Sequence, residues 1–299
     1  MINGIDISFA QPSVNYNELA AAGVKFVIIR AGISESADSR VVQHVNGCRA
    51  AGIPYGFYWY SHAENVTEAR REAAACVNVI SNFNRPEYPV FFDAEENYIA
   101  NAAGRQGMTD IALAFIGAIE ESGYPSGLYA NPDWIENRYD KQRIVGKVDI
   151  WLANWTYDPN VESRYQYGQT MWQWGTRCIG DLLVDADICF VDYPKKTAAW
   201  YADFNKGDIY KTALEVIRGE WGSGLERKER LEAAGYDYYE IQSEVNRILA
   251  LGTKKTIEEI AAEVIRGEWG SGLERIERIE AAGYDYREVQ NKVNEILNG

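Results

Sequence analysis

Thirty-five residues, Glu215 to Leu249, recur 48 residues later as Glu263 to Leu297, and 28 of the 35 positions are identical. The first 13 of them, EVIRGEWGSGLER, match without a break. Tandem self-similarity of this kind marks repeated modules rather than one continuous core. The 299 residues therefore divide into a long N-terminal part and a two-module tail. Each module reads as three short helices. Ile257, Ile260, Ala261, Val264 and Ile265 follow helical spacing and Gly267 stops the helix; Leu273 to Ala282 forms a second, closed by Gly283. Asp285 caps a third that runs through Val289, Val293, Ile296 and Leu297. Modules of roughly 40 residues stand near the lower limit for independent folding. Trp221 and Trp269 are therefore expected to supply much of each small core. This reading places a linker at 194–208, one module at 209–250, a joint at 251–256 and the second module at 257–299.

Residues 1–193 alternate short apolar strand-like runs with helical ones. The strand candidates are Ile5–Ser8, Phe26–Arg30, Tyr55–Tyr60, Val90–Ala94, Gly127–Ala130, Asp149–Ala153, Thr170–Trp174 and Val184–Phe190. Between the early ones lie helical segments at Asn17–Ala22, Arg40–Ala51, Val66–Phe83 and Thr109–Ser122, with Gly23, Gly52 and Gly123 as stops. Such alternation predicts an α/β fold with a parallel sheet covered by helices. Eight strands suggest closure into a barrel, and the last three follow too closely for full helical crossovers, so the barrel would be irregular. An open doubly wound sheet is the alternative.

Lys plus Arg number 30 against 44 Asp plus Glu, a formal net charge of -14. Phosphate-backbone binding needs clustered positive charge, so nucleic acid is excluded as the expected partner. No apolar run approaches the ~18 residues of a membrane span, and Met1–Ser8 shows no basic and apolar signal segment. Cys48, Cys76, Cys178 and Cys189 form no CxxC pair and only His44 and His62 could assist them, so no metal site is expected. Four buried free thiols are the expectation.

In a parallel α/β barrel, functional side chains gather at the C-terminal ends of strands. On that rule the acids take on a pattern. Asp93 and Glu95 close the apolar run Val90-Phe91-Phe92, two residues apart and so on one side of the sheet, with Cα atoms about 6.5 Å apart. That spacing lets two carboxyls share one glycosidic bond, and burial beside a second negative charge would keep a proton on one of them. Asp6 ends the first strand. Asp185 and Asp187 sit two apart on the last, which closes beside the first, so one of them faces Asp6. Tyr58, Tyr60, Tyr129, Trp151, Trp155 and the pair Gln173-Trp174 add rings and an amide, a set suited to a sugar.

Residues 1 to about 193 resemble the family 25 glycoside hydrolases, N-acetylmuramidases known as lysozymes of the Chalaropsis type. The resemblance rests on Gly4-Ile5-Asp6-Ile7-Ser8, Phe26-Val27-Ile28-Ile29-Arg30-Ala31, Gly52-Ile53-Pro54-Tyr55-Gly56-Phe57-Tyr58 and Asp93-Ala94-Glu95. Gly127-Leu128-Tyr129, Ile150-Trp151-Leu152-Ala153 and Trp172-Gln173-Trp174 follow in order. It implies an irregular barrel of five β/α units followed by three strands, with no cofactor, that cleaves the β-1,4 bond between N-acetylmuramic acid and N-acetylglucosamine. Glu95 would be the general acid. Asp93 would orient the 2-acetamido group or stabilise charge at the anomeric carbon, and Asp6 with Asp185 would hold these groups in register. The family's last strand usually reads Val-Asp-Leu-Asn, so Asp187 stands where asparagine is usual and is the alternative to Asp185.

The repeats resemble the cell-wall-binding repeats of choline-independent phage lysozymes, through Arg218, Trp221, Gly222, Arg227, Tyr236 and Asp237, and their counterparts Arg266, Trp269, Gly270, Arg275, Tyr284 and Asp285. The resemblance implies binding to the muropeptide unit of peptidoglycan. It also implies a phage endolysin, made without a signal peptide in the host cytoplasm and reaching the wall through a holin or similar pore.

Overall fold

A computed structural model of the chain describes residues 1–161, 163–252, 255–270, 272–281 and 284–298. They form two compact units, Met1–Phe204 and Asn205–Gly299. In the first unit the chain runs β1 (Ile2–Ile7), α1 (Tyr16–Ala21), β2 (Phe26–Ile33), β3 (Ser36–Ala37), α2 (Val41–Ala51), β4 (Tyr55–Tyr60), α3 (Val66–Ile80) and β5 (Val90–Asp93). It continues through α4 (Asn97–Glu121), β6 (Ser126–Ala130), α5 (Pro132–Asn137), α6 (Lys141–Ile144), β7 (Asp149–Ala153), β8 (Met171–Ile179) and β9 (Leu182–Cys189). Strands β1, β2, β4, β5, β6, β7, β8 and β9 pair in turn and β9 pairs back to β1, closing an eight-stranded barrel. The first five strands are followed by helical crossovers; β7 passes to β8 by a loop, and β9 runs antiparallel to both neighbours. This is the irregular barrel the strand spacing predicts, and no open sheet forms.

Strand alternation explains the closure. Ile5, Ile7, Val27, Ile29, Phe57, Trp59, Phe92 and Leu128 face outward and are buried under the helices. Phe26, Ile28, Phe91, Trp151, Met171 and Cys189 face inward and fill the barrel. With both faces covered, nearly every strand residue is apolar, and each large side chain so buried contributes ~1.5–3 kcal/mol. The helices are set by equally local signals. Ala69, Ala73, Cys76 and Ile80 form the buried stripe of α3, whose N-cap Asn65 accepts the Glu68 amide. Gly52 ends α2 at φ 64°, a left-handed position that glycine adopts without strain. At Gly127 the barrel leaves no room for a side chain: a Cβ there would stand 2.7 Å from the Asp149 carbonyl oxygen.

Three expectations need correction. Helix α4 starts at Asn97, earlier than the expected Thr109, and kinks at Gly104 (φ 65°, ψ 177°). The segment expected as a linker, 194–208, is helical, part of α7 (Tyr193–Ile217). Its first turns belong to the barrel unit: Tyr201 donates its hydroxyl to the Pro86 carbonyl (3.2 Å), Arg85 lies over the Tyr201 ring, and Phe204 packs at Gly123. The barrel unit therefore ends at Phe204, not at 193. Finally, Cys178 is exposed, while the other three thiols are buried, and all four are free.

The second unit holds the two modules. The end of α7, α8 (Gly224–Ala233) and α9 (Tyr238–Gly252) make one; α10 (Ile257–Ile265), α11 (Gly272–Ala281) and α12 (Tyr286–Asn298) make the other. Ala213, Val216, Leu231, Ile241 and Val245 form the first core, and Ile260, Ala261, Val264, Ile279, Val289 and Val293 the second. Trp221 and Trp269 are half-buried against these cores instead of central to them, because each indole must reach a carboxylate: Glu215 in one module and Glu263 in the other, both at 3.0 Å. Ala282 and Gly283, the expected helix end in the second module, lie outside the described residues.

Candidate active site

Inward-facing positions turn polar toward the C-terminal end of the barrel. The alternation that puts Phe26 and Ile28 inside on β2 brings Arg30 next; Phe91 is followed by Asp93 on β5, and Gly4 by Asp6 on β1. Antiparallel pairing sets Asp185 opposite Asp6 and Asp187 opposite Gly4. Both β9 acids therefore face the interior, and their depth separates them: Asp185 is half-buried while Asp187 is 1% exposed. Asp6 and Asp93 are buried too, and Glu95, beyond the end of β5, opens to solvent. Tyr58, Tyr60 and Tyr129 are half-buried around this group.

A hydrogen-bond network fixes the floor. Gln173 donates its amide to Asp6 (2.8 Å) while its carbonyl accepts from the Tyr129 hydroxyl (3.0 Å) and the Trp155 indole (2.9 Å). The Trp151 indole donates to Asp187 at 2.8 Å, and the Trp151 ring packs edge-on against Tyr58, Phe91 and Tyr129. Trp151 and Gln173, expected to line the substrate surface, are instead buried beneath it at 1% and 3% exposure. Each donates a hydrogen bond to a buried carboxyl, Trp151 to Asp187 and Gln173 to Asp6. At the rim, Trp155 is 42% and Tyr157 67% exposed, their rings edge to face. Tyr60 donates to Glu96 at 3.2 Å, and His62 lies 3.7 Å from the same carboxylate.

So much buried acid shifts proton affinities upward. Burial first, then Asp185, pushes Asp6 up to about 8. Burial, then Glu95 and Asp6, raises Asp93 well above the carboxylate range, with Arg30 opposing. Glu95, although open on its outer side, is raised by the protein crowding its inner side, then by Glu96 and Asp185. Asp185 is raised by burial. Arg30 was not singled out from the sequence, though its inward parity after Phe26 and Ile28 was visible; Asp38 anchors it at 2.7 Å.

These shifts carry a stability consequence. Acids whose folded pKa lies above the unfolded value bind more protons in the native state, so stability falls as pH rises between the two values. For Asp6 that window runs from its ordinary 3.8 to about 8. The melting temperature of the barrel is expected to drop between about pH 5 and pH 8, read by thermal melts across that range. An increase over that interval would contradict the protonation described here.

In the tail, residues expected to bind the wall also have local duties. Arg227 and Arg275 donate Nε to the Gly222 and Gly270 carbonyls at 3.1 Å, closing the loop before each second helix. Asp237 accepts the Tyr239 and Glu240 amides and Asp285 those of Arg287 and Glu288, capping the third helices. Arg218 and Arg266 pair with Glu220 and Glu268 two residues on, in exposed contacts. Tyr236 and Tyr284 pack against the module cores.

The sequence profile of Glycosyl hydrolases family 25 matches residues 5–179, more than half of the chain. The chain belongs to that family. The CW_7 repeat profile matches residues 211–249 and 258–297. A lysozyme of Streptococcus phage Cp-7 is 31% identical over 246 residues, covering 77% of this chain. The match spans 65% of that relative's length. Among solved structures, the catalytic domain of the endolysin ply40 from bacteriophage P40 of Listeria monocytogenes is similar at 26% identity and TM-score 0.56, covering 66% of this chain and 97% of that one. The modular autolysin LytC from Streptococcus pneumoniae is similar at 25% identity and TM-score 0.54, covering 62% and 46%. The family match takes in Asp6, Asp93 and Glu95 and ends before Asp185 and Asp187.

Proposed function

We propose that the chain is a peptidoglycan hydrolase whose barrel cleaves the β-1,4 bond between N-acetylmuramic acid and N-acetylglucosamine and whose two modules bind the bacterial wall. The observation that carries this reading is the meeting of Asp6, Asp93, Glu95 and Asp185, from three strands and one loop, at one end of the barrel. Glu95 is open to a ligand and holds its proton above the usual range, which suits a general acid protonating the leaving oxygen. Asp93 keeps one oxygen, Oδ1, buried without a hydrogen-bond partner. An acetamido N–H of the substrate that bonds to the Asp93 carboxyl from the cleft would steer the acetamido oxygen toward the anomeric carbon. Asp6 and Asp185 fix the position of this pair, and Tyr58, Tyr60 and Tyr129 provide faces for the sugar rings.

The tail reading is supported by the CW_7 match and by the phage lysozyme relative. Within it, muropeptide recognition falls to the Trp221, Gly222 and Arg227 loop and to its copy at Trp269, Gly270 and Arg275. On this reading the chain is an endolysin made in the host cytoplasm that reaches the wall through a holin-type pore. Mass spectrometry of digested peptidoglycan tests the bond assignment. Muramic acid at the new reducing ends is the expected product, and glucosamine there overturns the reading.

A further inference from the structure

We propose that Asp187 keeps its proton and acts as a neutral hydrogen-bond donor to Asp6, a positioning residue that clamps the first-strand acid and the Trp151 indole beneath the cleft. Asp6 and Asp187 are both buried on the inner face of the β1–β9 pair, where Asp187 stands opposite Gly4, two residues from Asp6. Ionised carboxylates only accept, so two such buried neighbours can bond to each other only if one of them carries a proton.

The surroundings decide which one. Asp6 receives the Gln173 amide on Oδ2, a donor that stabilises its anion. That amide cannot be turned over, because the Gln173 carbonyl is held by both Tyr129 and Trp155. Asp187 has the Trp151 indole on Oδ1, and no donor reaches its buried Oδ2. A proton on Oδ2 turns this orphaned acceptor into a donor for Asp6. The titratable groups around Asp187 are Asp6 from β1, Asp185 and Cys189 from its own strand, and Tyr129 from β6. None of these is a cation that would hold a second anion. Burial and Asp6 accordingly raise Asp187 well above the carboxylate range.

The test uses the full chain. Asp187→Asn replaces a neutral acid by a neutral amide that still donates. Hydrolysis of purified walls at about pH 6 is expected to be retained better by Asp187→Asn, which still donates, than by Asp187→Leu, which cannot. Infrared difference spectra between the parent and Asp187→Asn at neutral pH are expected to show a carboxylic-acid carbonyl band in the parent that the variant lacks. Equal losses in the two variants, or no such band, overturn the proposal. A parent sample with carbon-13 labelled aspartate carboxyls reads the same proton without any substitution. A protonated carboxyl next to the Trp151 indole proton supports the proposal, and an ionised one there overturns it. The spectroscopic readouts need no substrate. They stand apart from the peptidoglycan-hydrolase reading, whose own failure would appear in the product analysis.

Discussion

Replacing Glu95 with glutamine is expected to cut the release of reducing ends from purified walls by about 10²–10⁴-fold, the usual contribution of a positioned general acid. Glutamine keeps the size and most of the polarity of the side chain but has no acidic proton for the leaving oxygen. Because Glu95 stands open to solvent beyond the end of β5, its replacement breaks no core packing, and the melting temperature should hold or rise slightly. A rise is the more informative result. Glu95 is the largest charge pushing Asp93 upward, so its removal relieves the most crowded acid in the barrel. Binding to insoluble walls, measured by co-sedimentation, should be unchanged, since the modules lie in a separate compact unit. Hydrolysis within tenfold of the parent would remove Glu95 from the acid role.

The elements that the sequence made legible are those whose pattern comes from covering both faces of a strand. Tyr55–Tyr60 and Asp149–Ala153 fall where expected because their outward residues meet helices and their inward ones meet the barrel core. The acids at strand ends were visible for the same reason, since parity puts Asp6 and Asp93 on the inner face. Parity could not choose between Asp185 and Asp187, which share it. Only the antiparallel register with β1 sets their depths, and register is a tertiary property. The first turns of α4 escaped notice because Asn97, Asn101 and Arg105 give no apolar stripe; the packing of Ile99 and Ala100 holds them. The misplaced linker had a signal that went unused: Trp200, Tyr201 and Phe204 recur at helical spacing in a segment otherwise rich in lysine and small residues.

That helix sets where the tail should be cut. A chain of residues 1–204 is expected to hydrolyse a soluble glycan fragment at the full-length rate while binding walls more weakly by over about 10²–10⁴-fold, since the tethering gain of two weak sites is lost together with the sites. Ending at 193 would mix two effects, because Trp200, Tyr201 and Phe204 pack on the barrel and their loss would weaken the fold itself. The size of the binding loss rests on both modules presenting the same surface, and their 28 identical positions of 35 meet that condition. Electrostatic attraction is a poor source of the affinity. The whole chain carries -14, and residues 212–299 hold 18 acidic against 12 basic residues, a net of -6. Arg218 and Arg266 are partly neutralised by Glu220 and Glu268. Wall binding by the full chain should therefore survive added salt, because contacts at short range are screened much less than charges a Debye length apart. Equal wall binding by residues 1–204 would show that the modules do not target the enzyme. A steep loss of full-chain binding with salt would place the affinity in long-range charge instead of in the loops at Gly222 and Gly270.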